Sequence, residues 1–209
     1  MTPRQIDRFL KILAKEVGTP ARAYLTGAAA AALWGRVRPS LDVDLGLEMK
    51  RGAKRDWESI ERAVERTTRL TGIPVNIAED IDRWGMITLL DYRRSSRRYR
   101  QFGLLEVRLL HPANWSIGKL TRNLDADIRD VAEVFRRQSA TVTKVASTWG
   151  RALRASPASS TQFQFRRNVE HFFRRQGPAI WGASFDPEAT IASFHRASRM
   201  LADPPPRAT

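Results

Sequence analysis

The N-terminal half of the chain alternates between apolar residues at helical spacing and short apolar runs bounded by turn residues. Predicted helices cover residues 6–17, 27–34 and 56–70, and predicted strands cover 21–25, 41–45, 75–78, 86–90, 97–101 and 104–110. The predicted order is therefore helix, strand, helix, strand, helix, strand, followed by further strands. This order predicts a mixed α/β fold.

The chain returns to helical spacing after His111-Pro112. Helices are predicted at 112–120, 125–138, 142–153, 169–175 and 187–201, and the Ser-, Ala- and Pro-rich residues 154–161 are predicted to be a linker. The sequence thus predicts an α/β domain of residues 1–138 and a basic helical extension of residues 139–202. Residues 203–209, with three successive prolines, are predicted to be a disordered tail.

Two carboxylates alternate with apolar residues in Leu41-Asp42-Val43-Asp44-Leu45. On a strand, Asp42 and Asp44 project from the same face, where they repel each other unless a cation lies between them. Mg²⁺ is the oxygen-seeking ion that suits such a pair, and it often binds together with nucleotide phosphates. Gly27, upstream, would let the backbone turn tightly into a helix whose N-terminal N–H groups can receive an anion.

The charge balance of the 209-residue chain is strongly basic, with 36 Lys+Arg against 22 Asp+Glu and a net charge of +14. A positive field attracts polyanions, so nucleic acid is the first expected partner. The positive net charge would also be explained by a general preference for arginine or by an acidic protein partner. There are no cysteines, which excludes disulfides and thiolate metal sites. Because we find no signal sequence and no apolar run of about 20 residues, we expect a cytoplasmic protein without a membrane partner.

The order of glycine, helix, Arg/Ser connector and Asp-x-Asp strand resembles the nucleotidyltransferase superfamily with the DNA-polymerase-β-like fold. A later segment, Leu109–Leu120 followed by Asp127-Ile128-Arg129-Asp130-Val131, is similar to the strand, "K-L" helix and "D-x-x-D" helix of small bacterial members. These members include AbiEii-like, or MenT-like, toxins of toxin–antitoxin pairs and phage-defence systems. The two segments cover about residues 21–138. The resemblance implies a mixed sheet flanked by helices.

The resemblance also implies transfer of a nucleoside monophosphate from a nucleoside triphosphate (NTP) to an acceptor, which in toxin members is typically the 3′ end of tRNA. Asp42 and Asp44 would hold Mg²⁺ or Mn²⁺, as metal ligands and catalytic residues. The implied nucleotide-binding residues are Gly27, Ala28, Arg38, Ser40 and Lys119. Lys119 and Asp130 would also be catalytic, and Asp127 and Asp130 stand where toxin members have acidic residues near the active site. A cognate antitoxin would be a further partner.

The family's third carboxylate falls near Asn76, which is neutral. Acidic candidates to replace it stand at the end of the same predicted strand, at Glu79 and Asp80. We take Asp80 as the catalytic candidate, because attack by an acceptor oxygen is helped by a third carboxylate near the metal.

The densest positive cluster has tyrosines interleaved at 92 and 99, and its arginines are Arg93, Arg94, Arg97, Arg98 and Arg100. Arginine forks grip phosphates and tyrosines stack on bases, so we predict an RNA contact here. A charged strand edge that only discourages aggregation is the alternative. Two other functions stay open for the whole chain: a catalytically inactive nucleotidyltransferase-fold protein that binds nucleic acid or a protein partner, and a nucleotidyltransferase that acts on a small molecule.

Overall fold

The computed structural model describes residues 1–35, 41–50 and 57–199. In chain order its elements are α1 (Pro3–Val17), β1 (Ala21–Thr26), α2 (Gly27–Trp34), β2 (Val43–Met49), α3 (Trp57–Thr71), β3 (Val75–Ala78), β4 (Arg83–Trp84), β5 (Ile87–Thr88), α4 (Tyr92–Ser95), β6 (Arg97–Phe102), β7 (Leu105–Leu109), α5 (Pro112–Arg122), α6 (Asp125–Arg137), α7 (Val142–Ala155), α8 (Ser160–Trp181) and α9 (Pro187–Ser198). The predicted mixed α/β class is confirmed.

The described chain divides into two compact units. Unit 1 consists of Met1–Asp82 and Asp91–Trp115, and unit 2 consists of Arg83–Leu90 and the described residues from Ser116 onward. This division differs from the predicted boundary at residue 138. The predicted roles of Arg38 and Ser40 and the predicted tail lie outside the described residues.

Unit 1 is built on a five-stranded mixed sheet in the order β3-β2-β1-β7-β6. The central strand β1 runs antiparallel to β2 and parallel to β7, whereas β2 runs parallel to β3 and β6 runs antiparallel to β7. Five of the six residues of β1 are buried, as expected for a strand covered on both faces. The strand order makes β3 and β6 the edge strands of this sheet.

Helix α1 shows how the sequence sets one boundary of unit 1. Thr2 accepts from the backbone of Gln5, and the Gln5 side chain accepts from the backbone N–H of Thr2, which is a capping box. The helix ends at Gly18 in the left-handed conformation. Its apolar face, which includes Ile6, Phe9 and other fully buried residues, packs into the core. Its polar face stays exposed.

Unit 2 contains the short β4–β5 hairpin and the C-terminal helices, which pack around buried aromatic rings of Phe135, Trp149, Phe172 and Phe173. The predicted linker at 154–161 is longer than the observed connection: α7 continues to Ala155, and the N-cap of α8 is already Ser159, which accepts from the backbone of Gln162. Only four residues connect the two helices, because the capping serine starts a helix where the composition suggested a loop.

Two other boundaries also differ from prediction. The predicted helix 169–175 is the middle of the 22-residue α8, and the predicted strand 86–90 is reduced to the two-residue β5. Within the described ranges, none of the helices combines the length and the apolar character that a bilayer crossing requires.

Candidate functional site

A row of three polar side chains crosses the sheet of unit 1. The strand register pairs Thr26 of β1 with Asp44 of β2, and Asp44 with Asn76 of β3. Directly paired residues of neighbouring strands project from the same face of a sheet, so these three side chains share one face. Asp42 lies just before β2, which begins at Val43 and not at the predicted Leu41, and its carboxylate reaches the same Asn76 side chain.

The Asn76 amide connects the two carboxylates. Its Nδ2 donates to Oδ2 of Asp42 at 3.1 Å and to Oδ1 of Asp44 at 2.9 Å. Both aspartates are partly accessible and Asn76 is exposed. Asp42 and Asp44 therefore converge on one point at the surface of unit 1, as the strand alternation predicted, and the amide offsets part of their mutual repulsion.

Gly27 begins α2 directly beside this pair. Its φ is +60°, and a Cβ built on it would lie 1.8 Å from Oδ2 of Asp44. Glycine is required here twice, because the backbone is left-handed and because the carboxylate occupies the place of a side chain. Ala28 follows in the first turn of α2 and is half-buried. The predicted proximity of Gly27 to the aspartates is thus present in unit 1.

Trp115 supports the glycine turn and was not identified from the sequence. Its indole Nε1 donates to the backbone oxygen of Gly27 at 2.7 Å, and its buried ring packs edge-to-face on Trp34 with centroids 5.2 Å apart. Trp115 thereby ties both ends of α2 to the start of α5. The signal in the sequence is its place in the Leu109–Leu120 segment, which carries the resemblance.

Thr26, which precedes Gly27, is also new to the site. The residue is buried, and its hydroxyl has no hydrogen-bond partner in the described part of the chain. An unpaired buried hydroxyl costs about 1–3 kcal/mol. It is the one polar side chain at the end of β1 beside the carboxylates, so the polar row extends from the edge strand β3 to the centre of the sheet.

The donor chemistry of this site suits a hard divalent cation. Two carboxylates and an amide offer only oxygen ligands once the Asn76 side chain turns its oxygen inwards, and Mg²⁺ or Mn²⁺ prefers such ligands. Among the described residues, no three Asp, Glu, His or Cys side chains form a metal-binding group. Any cation at this point would therefore have two charged protein ligands and one neutral one.

Asp80 does not stand beside this pair. It lies four residues beyond Asn76, past the opposite end of β3, where Tyr92 donates to its Oδ1 at 2.7 Å and Arg93 to its Oδ2 at 2.8 Å. Burial raises the pKa of Asp80, but these hydrogen bonds outweigh burial and leave the pKa below the usual value. The parallel register puts Asn76, not Asp80, next to Asp44. Asp80 thus contacts groups other than the aspartate pair.

Lys119 lies in unit 2, in a buried ionic cluster. Its Nζ donates to Asp127 at 2.7 Å and to Asp130 at 2.9 Å, and Arg122 also contacts Asp127. Burial raises the pKa of Asp127, and hydrogen bonds from Arg122 and Lys119 more than reverse the effect, so its pKa is lowered. The structure brings the three members of the resemblance motif together. Only 3% of the Lys119 side chain is exposed, which favours a structural role over a phosphate contact.

The predicted RNA-binding arginines lie in unit 1 in two different settings. Arg93 binds Asp80, and Arg100 binds Asp7, whereas Arg94, Arg97 and Arg98 make no ion pair with any described residue. All five are exposed. The tyrosines are less available than expected. Tyr92 is buried against Tyr24, so the expectation that it stacks on a base is wrong.

Comparison with protein-family models, with curated proteins and with solved structures gave no match to this chain. The nucleotidyltransferase interpretation therefore rests on the residues and their arrangement.

Proposed function

We propose that this chain is a metal-dependent nucleotidyltransferase that transfers a nucleoside monophosphate from an NTP to RNA, with tRNA as the preferred acceptor. The observation that carries the proposal is the convergence of Asp42 and Asp44 on Asn76, directly beside Gly27. A surface pair of acids with no function has no reason to converge against a left-handed glycine. The glycine keeps the space that the Asp44 carboxylate occupies, which holds that carboxylate against the first turn of α2.

In this proposal Asp42 and Asp44 hold the divalent ion, and the Asn76 oxygen takes the place of a third carboxylate. The bound ion would neutralise charge on the triphosphate and stabilise the in-line displacement of pyrophosphate by an RNA hydroxyl. The protein residues mainly position the reactants. The backbone N–H groups of Gly27 and Ala28, in the first turn of α2, would receive the triphosphate next to the carboxylates, as helix N-termini receive anions.

The test is transfer of label from α-labelled NTPs to total tRNA in the presence of Mg²⁺. The proposal expects labelled tRNA with the natural protein and at least a hundredfold less with Asp42→Asn/Asp44→Asn, since that change removes both charged ligands and keeps their shape. Glu61→Gln/Glu65→Gln is the matched control, because it neutralises two exposed carboxylates of α3 in the same unit. No metal-dependent transfer to any RNA, or equal transfer by the two variants, would contradict the proposal.

A toxin role belongs to the same proposal. Expression should then arrest growth, and Asp42→Asn/Asp44→Asn should relieve the arrest while Glu61→Gln/Glu65→Gln should not. A co-expressed antitoxin would be the protein partner that restores growth.

A catalytically inactive nucleotidyltransferase-fold protein is the second candidate, and Asn76 is the observation that favours it. With a neutral residue at the third ligand position, the site has less charge with which to bind a divalent ion and activate an acceptor. RNA binding that is unchanged by Asp42→Asn/Asp44→Asn, together with no transfer of label, would support this alternative.

A further inference from the structure

A groove of about 860 Å³ lies within unit 1 between α1 and the turn that joins β6 to β7. Its described lining residues come from α1, from Gly18 at the end of that helix and from the hairpin: Asp7, Arg8, Lys11, Ala14, Lys15, Gly18, Arg100, Gln101, Phe102, Gly103 and Leu104. Four of them are cationic and one is anionic. The groove therefore carries a net positive charge, and neither Asp42 nor Asp44 is among its lining residues.

The cations of α1 form a stripe. Arg4, Arg8, Lys11 and Lys15 follow one another at intervals of four, three and four residues, so all four lie along one side of the helix. At 1.5 Å per residue the stripe is about 17 Å long. All four side chains are exposed, and none forms an ion pair with a residue in the described ranges. Four like charges in a row repel one another and gain from a polyanion.

The neighbouring acids do not neutralise the stripe. Asp7 accepts from Arg100 at 2.6 Å and from the Tyr99 hydroxyl at 2.9 Å, and Glu16 accepts from Arg66 of α3 at 2.7 Å. The arginine of the hairpin therefore offsets the one carboxylate in the groove. The stripe on α1 keeps its charge for a ligand.

The hairpin side of the groove supplies apolar surface next to these charges. Phe102 is half-buried, the guanidinium of Arg100 lies 5.8 Å from the centre of its ring, and Leu104 is 51% exposed. A ring and an exposed leucine beside a line of cations match a ligand that carries flat apolar bases along a charged backbone. An acidic peptide would match the charges without using the ring.

We propose that this groove binds single-stranded RNA, with a base against Phe102 and the phosphates along Arg8, Lys11 and Lys15. Arg4 continues the line of cations beyond the groove lining. The inference rests on the proposed function for the choice of RNA over other polyanions. Register places Phe102, Leu105 and Ala21 at one end of the sheet and Thr26 with Asp44 at the other. The groove therefore holds a part of the RNA about 17 Å or more from the carboxylates, since five strand residues separate the two ends.

The test is binding of a fluorescently labelled oligouridine, measured by anisotropy over a range of salt concentrations without NTP or divalent ions. Lys11→Gln/Lys15→Gln should weaken binding about tenfold at low salt and reduce the salt slope by about 1.4, because each phosphate contact on a single strand contributes about 0.7. Arg129→Gln/Lys144→Gln, which removes two exposed cations of unit 2, is the control and should weaken binding less than twofold.

Two results would overturn this inference: equal weakening by the two double variants, which indicates a general field effect, or displacement of the RNA by polyglutamate at the same charge concentration, which indicates an acidic protein ligand. Asp42→Asn/Asp44→Asn should leave oligouridine binding unchanged. Groove-dependent RNA binding by a natural protein that shows no nucleotidyl transfer would therefore contradict only the proposed function.

Discussion

The Asp44 carboxylate fills the space that a side chain on Gly27 would need: a Cβ atom on Gly27 would lie 1.8 Å from Oδ2 of Asp44. We expect Gly27→Ala to lower the free energy of unfolding by about 2–4 kcal/mol, of which about 1 comes from the left-handed backbone and the rest from overpacking. The carboxylate must move to admit the methyl group, so nucleotidyl transfer should also be lost. Urea unfolding and the label-transfer assay measure the two effects.

Gly72→Ala provides the matched control for this change. Gly72 has a φ of +68°, close to the +60° of Gly27, but a Cβ built on it meets no atom within 4 Å. Gly72→Ala should lower the free energy of unfolding by only the cost of the left-handed backbone, about 1 kcal/mol, and should leave nucleotidyl transfer unchanged. Equal losses for the two glycine variants would mean that the contact with Asp44 carries no energy.

Asn76→Asp should turn the two-carboxylate site into a three-carboxylate site. Without divalent ions we expect a loss of about 1–2 kcal/mol, because two hydrogen bonds to charged groups are replaced by repulsion. Mg²⁺ should reverse this loss, since a ligand at ten times its dissociation constant stabilises the folded state by about 1.4 kcal/mol. Thermal unfolding with and without Mg²⁺ measures the difference.

Asn76→Ala serves as the control, because it removes the same amide without adding charge. Its unfolding temperature should respond to Mg²⁺ no more than that of the natural protein. If Mg²⁺ stabilises Asn76→Asp and Asn76→Ala to the same extent, the point between Asp42 and Asp44 is not a cation site.

Lys119→Met should lower the free energy of unfolding by about 3–5 kcal/mol, because it leaves the buried carboxylates of Asp127 and Asp130 without their shared cation. Neutralising those carboxylates as well, in Lys119→Met/Asp127→Asn/Asp130→Asn, should recover most of that loss. Chemical denaturation of the two variants checks both statements. Lys144→Met, on the surface of α7, should change little.

The same variants separate two interpretations of Lys119. If Lys119 contacts phosphate, Lys119→Met should abolish nucleotidyl transfer and change the free energy of unfolding little. If Lys119 instead holds α5 to α6, Lys119→Met should mainly lower the free energy of unfolding. A stable, inactive Lys119→Met protein would therefore contradict the structural role inferred from its burial.

Local sequence signals were sufficient for much of unit 1. The helix at Gly27–Trp34 and the strand at Val75–Ala78 were predicted with the bounds they have, because a glycine and a proline mark where they begin. The two-residue spacing of Asp42 and Asp44 predicted that their carboxylates lie together, although β2 itself begins at Val43. These features depend on interactions between residues that are close together in the sequence.

Pairing between strands could not be predicted in the same way. Asn76 lies beside Asp44, and Asp80 lies beyond the other end of β3, because β2 and β3 are parallel and in a particular register. The burial of Tyr92 against Tyr24 and the enclosure of Lys119 by two carboxylates are likewise contacts between distant residues. The composition of each segment was compatible with an exposed tyrosine and a solvated lysine.

Glu106 should make unit 1 sensitive to acid. A hydrogen bond from Arg108 at 2.8 Å outweighs burial, and Lys50 and Arg22 add further attraction, which brings the pKa of Glu106 to about 2 from an ordinary 4.5. A lowered carboxyl pKa contributes stability that is complete above about pH 4.5 and is lost as the pH falls towards 2. The full contribution is about 3 kcal/mol.

Glu106→Gln should therefore remove much of the fall in unfolding free energy between about pH 4.5 and 2, while it lowers stability at neutral pH. Urea unfolding at a series of pH values measures both. Glu61→Gln, at an exposed position of α3, is the control and should keep the acid sensitivity of the natural protein. A Glu106→Gln protein that loses stability over this range as steeply as the natural one would show that the ion pairs of Glu106 do not stabilise the folded state.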